Sequence, residues 1–164
     1  MSILLKKGQY TTIAPQDIWK IYSKFHGVFR GGGNTKSPKL VRADGPRRSD
    51  LDIRVDQQTG IEMVYPNPIK GISFADSVRT LADKMVEGQV WVIPSNKKIE
   101  GDLIFNIKDE SHPLLNVSRP MPVIELTVLL TKLALLMKPC DIKIDKNGNI
   151  IEKYPGALSK ASNI

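Results

Sequence analysis

Cysteine is almost missing from this chain: of its 164 residues only Cys140 carries a thiol. One cysteine excludes an internal disulfide framework and a thiolate metal cluster. Histidine is nearly as scarce, with His26 and His112 alone. Two are too few for an ordinary imidazole metal site, so no metal is expected. Long apolar runs are missing as well, since no segment approaches the roughly 18 uncharged apolar residues of a membrane helix. The best candidate, VIELTVLLTKLALLM from Val123, contains Glu125 and Lys132 and reads as a soluble helix; no membrane partner is expected. The opening MSILLKK is too short in its apolar part for a secretory signal. The expectation is a protein made in a cytoplasm, any export using a route that needs no cleaved signal.

What is present fits one globular domain over residues 1–164, with 41% hydrophobic and 25% charged residues. The net charge of +7 has two readings, a partner or ligand that carries phosphate, or a solvated basic surface. The densest basic stretch is KLVRADGPRR (39–48), punctuated by Pro, Gly and Asp like a loop. No aromatic residues interleave there as a single-strand binding face requires.

Periodicity gives the order of elements. Ile18, Ile21, Tyr22 and Phe25 mark one face of a helix over 14–25, with Pro15 in its first turn. Val28, Phe29 and Arg30 form a short extended piece, followed by a long loop over 31–50. DIRVDQQTGIEMVYP reads as a hairpin turning at Gln57 to Gly60. Phe74, Val78, Leu81, Ala82 and Met85 fall on one stripe of a helix over 73–85. Three strand-length runs follow, at 89–93, 102–107 and 113–118, then a helix over 123–137 stopped by Pro139. DIKIDKNGNIIEKY closes as a hairpin turning at Asn147-Gly148. Helices and strands mix without a regular βαβ repeat, so the class is α+β.

Individual motifs carry little. HGVFRGGGNTKS (26–37) invites a phosphate-loop reading, but Thr35 stands where a P-loop needs glycine before its lysine. Lys36 stands where a dinucleotide G-x-G-x-x-G needs its third glycine. On its own the stretch reads as a flexible loop after a strand. DKNGN (145–149) starts like a calcium loop, but Ile150 stands where that loop needs glycine and Gly156 where it needs its closing glutamate, leaving a turn. Taken singly, Ser73 reads as a helix N-cap, Trp91 as core and His112 as a structural histidine.

The ordered set is more informative. VFR at 28–30 and SPKL at 37–40 are followed by D-x-x-T-G at 56–60, VYP and KGISF at 70–74. WVIP at 91–94, KDESHPLLNVSRPMP at 108–122 and an amphipathic helix complete it. This series resembles the Tse-two-type toxins, ADP-ribosyltransferase-like effectors of bacterial type VI secretion that also occur outside bacteria. Their frame is an aromatic-Arg strand end, a G-x-S, an aromatic-x-I-P strand and a His before a Pro-Met pair. The likeness spans about residues 25 to 137. It departs at SNKKIEG (95–101), at Val117 and at Phe74, which directly follows Ser73.

The resemblance implies an ADP-ribosyltransferase-like fold, two small mainly antiparallel sheets around a cleft for NAD. Cleaving the nicotinamide–ribose bond builds oxocarbenium character, so such a site holds NAD bent and stabilises charge. By resemblance Arg30 grips NAD with its guanidinium fork, Ser73 orients that arginine or the ribose, and His112 bonds ribose or acceptor. Phe74 or Trp91 would stack on nicotinamide, and Gly31 would let the dinucleotide approach the backbone. The glutamate that many such transferases use is not assigned; Glu125 is the nearest candidate. The expected function is that of a cytotoxic effector, an NAD-dependent ADP-ribosyltransferase or NAD hydrolase acting in a target-cell cytoplasm. Its partners are an immunity protein and a protein or nucleic-acid acceptor. The alternative is a non-enzymatic toxin of the same fold that acts by binding a partner.

Overall fold

The structure, a computed structural model, describes residues 11–20, 27–43, 45–95, 97–108 and 111–162. It is mixed α+β, mostly antiparallel sheet with few helices. β1 (Thr11–Ile13), β7 (Leu103–Ile107), β8 (Pro113–Val117) and β5 (Ile72–Ser73) form one four-stranded sheet in the order β1-β7-β8-β5. β2 (Gly27–Gly33), β6 (Gly88–Pro94), β10 (Lys138–Ile144) and β11 (Ile150–Glu152) form a second, ordered β11-β10-β6-β2. A third sheet, beyond the two expected, joins the hairpin β3 (Asp52–Val55) and β4 (Glu62–Tyr65) to β9 (Met121–Pro122). Every pairing among these strands is antiparallel.

The second sheet divides the apolar interior. Along β2 and β6, Val28, Trp91 and Ile93 belong to one core, while Phe29 and Val90 belong to another. That is the two-residue alternation of a strand buried on both faces. The first core takes the inner residues of the first sheet and Leu126, Leu130 and Leu133 of α2 (Val123–Leu136). The second core lies under α1 (Val78–Asp83) and α3 (Ala157–Ser162).

Residues 72–76 join the two four-stranded sheets. On one side Phe74 N donates to Pro113 O at 2.9 Å and Asp76 N to Ser111 O at 3.2 Å, extending the β5–β8 ladder. On the other, Ala75 and Phe29 exchange both backbone hydrogen bonds, at 2.7 and 2.8 Å. This shared segment corrects the expected helix over 73–85. Its first four residues are extended because two strands compete for their amides, and α1 starts only at Val78. Ser77 is the cap, its hydroxyl accepting from Thr80 N at 3.2 Å, so Ser73 is not. Met85, expected on the buried stripe, lies beyond the helix at φ +56° and is exposed.

The other elements follow the sequence closely. Pro15–Lys20 is a 3-10 helix with Ile18 buried; the rest of the helix expected over 14–25 lies outside the described residues. α2 ends at Leu136, and β10 begins directly after Met137. Both hairpins turn on an aspartate. Asp56 Oδ1 accepts from Gln58 N at 2.8 Å and Thr59 N at 3.0 Å. Asp145 Oδ1 accepts from Asn147 N and Asn149 N, each at 2.9 Å. These amide bonds, led by Thr59 in one turn and Asn149 in the other, hold both carboxyls below the usual value of 3.8. A depressed carboxyl stabilises the fold above its unfolded value and loses that contribution as pH falls through the folded value. Melting temperature should therefore drop as pH falls below about 3.8, and the drop should be shallower in Asp145→Asn. A thermal melt series across that range would show it, and an identical acid limb in the variant would exclude the turn as its source.

Candidate functional site

Arg30 lies where the two main sheets meet. In register opposite Trp91 on β6, it shares the first-core face of β2 with Val28. Its Nη1 donates to the Ser73 carbonyl at 2.8 Å, the only hydrogen bond its side chain makes among the described residues. Its guanidinium carbon stands 5.8 Å from the centre of the Phe74 ring. Nε is fully buried and has no hydrogen-bond partner among the described residues. Burial pulls the Arg30 pKa below its usual value; Asp50 opposes the shift, and Arg42 and Arg47 add to it. The group remains charged at any physiological pH. The site therefore presents a half-buried cation with spare donors and, among the described residues, no carboxylate within ion-pairing distance. Such an arrangement favours an anionic or polyhydroxyl ligand.

Of the residues expected beside it, Ser73 and Phe74 touch Arg30, and His112 pairs one step further along the same ladder. Ser73 serves the arginine through its carbonyl rather than its hydroxyl; its side chain is exposed at the end of β5, opposite Leu114. His112 is half-buried and precedes Pro113, whose carbonyl accepts from Phe74, so it stands across the ladder from Ala75. Phe74 and Trp91 are only 1% and 6% exposed. Phe74 meets Phe105 edge-on, with ring centres 5.9 Å apart. The Trp91 indole donates to Asn34 O at 2.8 Å and so ties down the start of the 34–50 loop. The stacking expected of these two rings thus has no exposed ring face to use.

The glycines are not slack. All three belong to β2, with a bulge in its pairing between Arg30 and Gly33, and Gly32 turns at φ +79°. A Cβ on Gly31 would lie 2.7 Å from Val86 Cγ1, so protein fills the room beside it. At Gly33 a Cβ would meet Ser37 O at 2.7 Å and Trp91 Cδ1 at 2.8 Å. The carbonyl accepts from Asn34 N at 3.0 Å and the buried indole donates to Asn34 O, so moving either strains a hydrogen bond. Gly33→Ala should therefore cost roughly 1–3 kcal/mol, a magnitude typical of overpacking. Urea unfolding would measure the loss, and a cost below a few tenths of a kcal/mol would mean that the loop moves freely.

Glu125 opens α2 and is held there by Arg119, whose Nη2 donates to its carboxylate oxygens at 3.0 and 2.8 Å. Arg119 also bonds Asp102 at 2.7 Å. Its partner therefore occupies this glutamate at the helix start. Cys140 is buried, and burial followed by the charge of Asp141 pushes its thiol up to about 12, so it is no nucleophile. It borders a cavity of ≈ 540 Å³ with Val92, Lys138, Tyr154 and Lys160, which contains none of the Arg30 group. Among the described residues no three His, Cys, Asp or Glu side chains come together, and no helix is long and apolar enough to cross a membrane.

Sequence reading passed over the two side chains that position the site. Asn106 of β7 and Asn116 of β8 are each 1% exposed, diagonal neighbours on one face. Asn106 Nδ2 donates to Asn67 O at 2.8 Å and Lys70 O at 3.1 Å. Asn116 Nδ2 reaches the same two carbonyls at 3.5 and 3.0 Å. They pin the turn that delivers Gly71, Ile72 and Ser73 to the sheet junction. The signal was an asparagine in the same place within two apolar runs, LIFNI and PLLNV. Comparison of the chain with protein families, curated proteins and solved structures found no match.

Proposed function

We propose that the chain is an NAD-dependent ADP-ribosyltransferase toxin domain, with NAD bound at Arg30 along the junction of the two four-stranded sheets. The observation that carries this reading is Arg30 itself, half-buried at that junction, its Nε buried without a partner among the described residues and one Nη on the Ser73 carbonyl. A guanidinium in that setting keeps Nη2 and the second Nη1 hydrogen for a diphosphate or a ribose diol. The two antiparallel sheets meeting at Phe29 and Ala75 are compatible with a fold of the ADP-ribosyltransferase type. Ser73 supplies the carbonyl that aims the arginine, and the reading assigns His112, across the ladder from Ala75, to ribose or acceptor. Fixing the nicotinamide ribose beside a cation on its phosphate side would leave the glycosidic carbon open to an acceptor. In this reading the domain acts in the cytoplasm of a target cell, and its producer is protected by an immunity protein.

Incubation of cell extract with NAD labelled in its adenylate half tests the reading. Nicotinamide should be released and label should enter macromolecules, and Arg30→Ala should abolish both. Expressed in a cytoplasm, Arg30→Ala and His112→Ala should lose toxicity; full toxicity in both variants would exclude an NAD site at this junction.

A further inference from the structure

The loop beside Arg30 carries the most concentrated charge in the chain. From Asn34 to Arg48 it holds Lys36, Lys39, Arg42, Arg47 and Arg48 against Asp44 alone. Those fifteen residues account for a net four of the chain's seven positive charges. All five basic residues are exposed. The loop is nevertheless anchored: Asn34 is held by Trp91, and its Oδ1 accepts from Lys36 N and Ser37 N at 2.8 Å each. Leu40 and Leu51 are buried in the first core, and Arg42 and Gly45 exchange backbone bonds at 2.9 and 3.0 Å. Arg48 pairs with Glu62, and Arg47 lies 3.9 Å from Asp50. Lys36, Lys39 and Arg42 make no ion pair among the described residues.

The exposed side chains of this loop include no aromatic and no large apolar residue. A protein partner is normally gripped by apolar and aromatic anchors, which are missing here. Single-strand binding needs rings on which bases stack, and those are missing too. Basic and small polar side chains on a fixed platform suit one ligand well, the regularly spaced phosphates of a nucleic-acid backbone. We infer that the acceptor of ADP-ribose is a nucleic-acid duplex, its backbone lying along Lys36, Lys39 and Arg42 so that a nucleophile reaches the ribose held at Arg30. This rests on the NAD reading of Arg30. In the transfer, the bond between ribose C1′ and the nicotinamide nitrogen breaks, and its electron pair leaves with neutral nicotinamide. A lone pair of the acceptor forms the new bond to C1′, and any proton the acceptor carried passes to water.

The test offers the full chain and NAD labelled in its adenylate half, separately, to duplex RNA, duplex DNA, single strands and the protein fraction of one extract. Released nicotinamide and the location of label are both measured. Label is expected in a duplex and should be removable by nuclease. Binding to a fluorescent duplex should weaken about 40-fold between 50 and 200 mM salt, the loss that three phosphate contacts imply. Lys36→Glu/Lys39→Glu/Arg42→Glu should lose that salt-sensitive binding and at least about tenfold in labelling, a scale set by three contacts. Nicotinamide release with label confined to protein or single strands overturns the duplex acceptor and leaves the NAD site standing. A triple variant that binds and labels like the wild type overturns the duplex acceptor as well. No nicotinamide release in any mixture removes the NAD reading, and the transfer with it.

Discussion

Arg30→Met is expected to lower transfer from NAD by roughly a hundredfold or more while leaving the melting temperature unchanged or raised. The first half follows from what the guanidinium offers. A guanidinium clamped on the diphosphate holds the reacting bond in place, and a misplacement of about 1 Å can cost on the order of 10²-fold in rate. Lysine should recover little of the loss, because a point charge on a flexible stem lacks the planar fork that matches a diphosphate.

The second half follows from what Arg30 costs the fold. Its Nε is buried without a partner among the described residues, and burial lowers its pKa ahead of the opposing pull of Asp50. Arg42 and Arg47 add repulsion. A buried charge without a counter-ion is often replaced by an apolar isostere at no loss of stability. The Ser73 carbonyl that loses its donor belongs to an exposed residue and can turn to water. Methionine also keeps the contact with Phe74. A structural strut would behave in the opposite way, its removal lowering the melting temperature and activity together. Thermal melts beside NAD-transfer assays on the Met and Lys variants separate the two roles. Loss of activity matched by a fall of several degrees would make Arg30 part of the scaffold rather than the site.

How much of this was legible in the sequence depends on range. The hairpins at Asp56 and Asp145 and the helix from Val123 were readable because turn chemistry and helical period are local. The segment Ser73–Asp76 was not. Its apolar spacing matches a helix, but Phe29, Ser111 and Pro113 claim its backbone from distant parts of the chain. No window of neighbouring residues contains that information. The glycines misled for a similar reason: a glycine run near lysine suggests an open loop, whereas Gly31 and Gly33 are there to let Val86 and Trp91 pack close. Arg30 was identified by its place in an ordered set of motifs. Its burial and its unpartnered Nε emerge only once Ser73 and Phe74 are brought against it.

The double variant Asn106→Ala/Asn116→Ala should destabilise the protein by roughly 3 kcal/mol or more, whereas each single variant should cost about 1 kcal/mol. The inequality comes from shared acceptors. Both side-chain amides donate to Asn67 O and Lys70 O, so removing either leaves a donor in place for each carbonyl. Removing both leaves Lys70 O with no side-chain donor and Asn67 O with only the Lys70 amide at 3.3 Å, beside the space that two buried side chains filled. The double should therefore exceed the sum of the singles, a coupling that a double-mutant cycle reads directly. For a chain of this length the melting temperature should fall by on the order of 10 °C. Amide exchange at Lys70, Gly71, Ile72 and Ser73 should accelerate more than in β6, because the turn they leave is what the amides hold. Since Ser73 supplies the carbonyl that aims Arg30, toxicity should fall in the double variant although neither asparagine touches the arginine. Strictly additive energies, or exchange rising equally across both sheets, would show that the two asparagines only fill space.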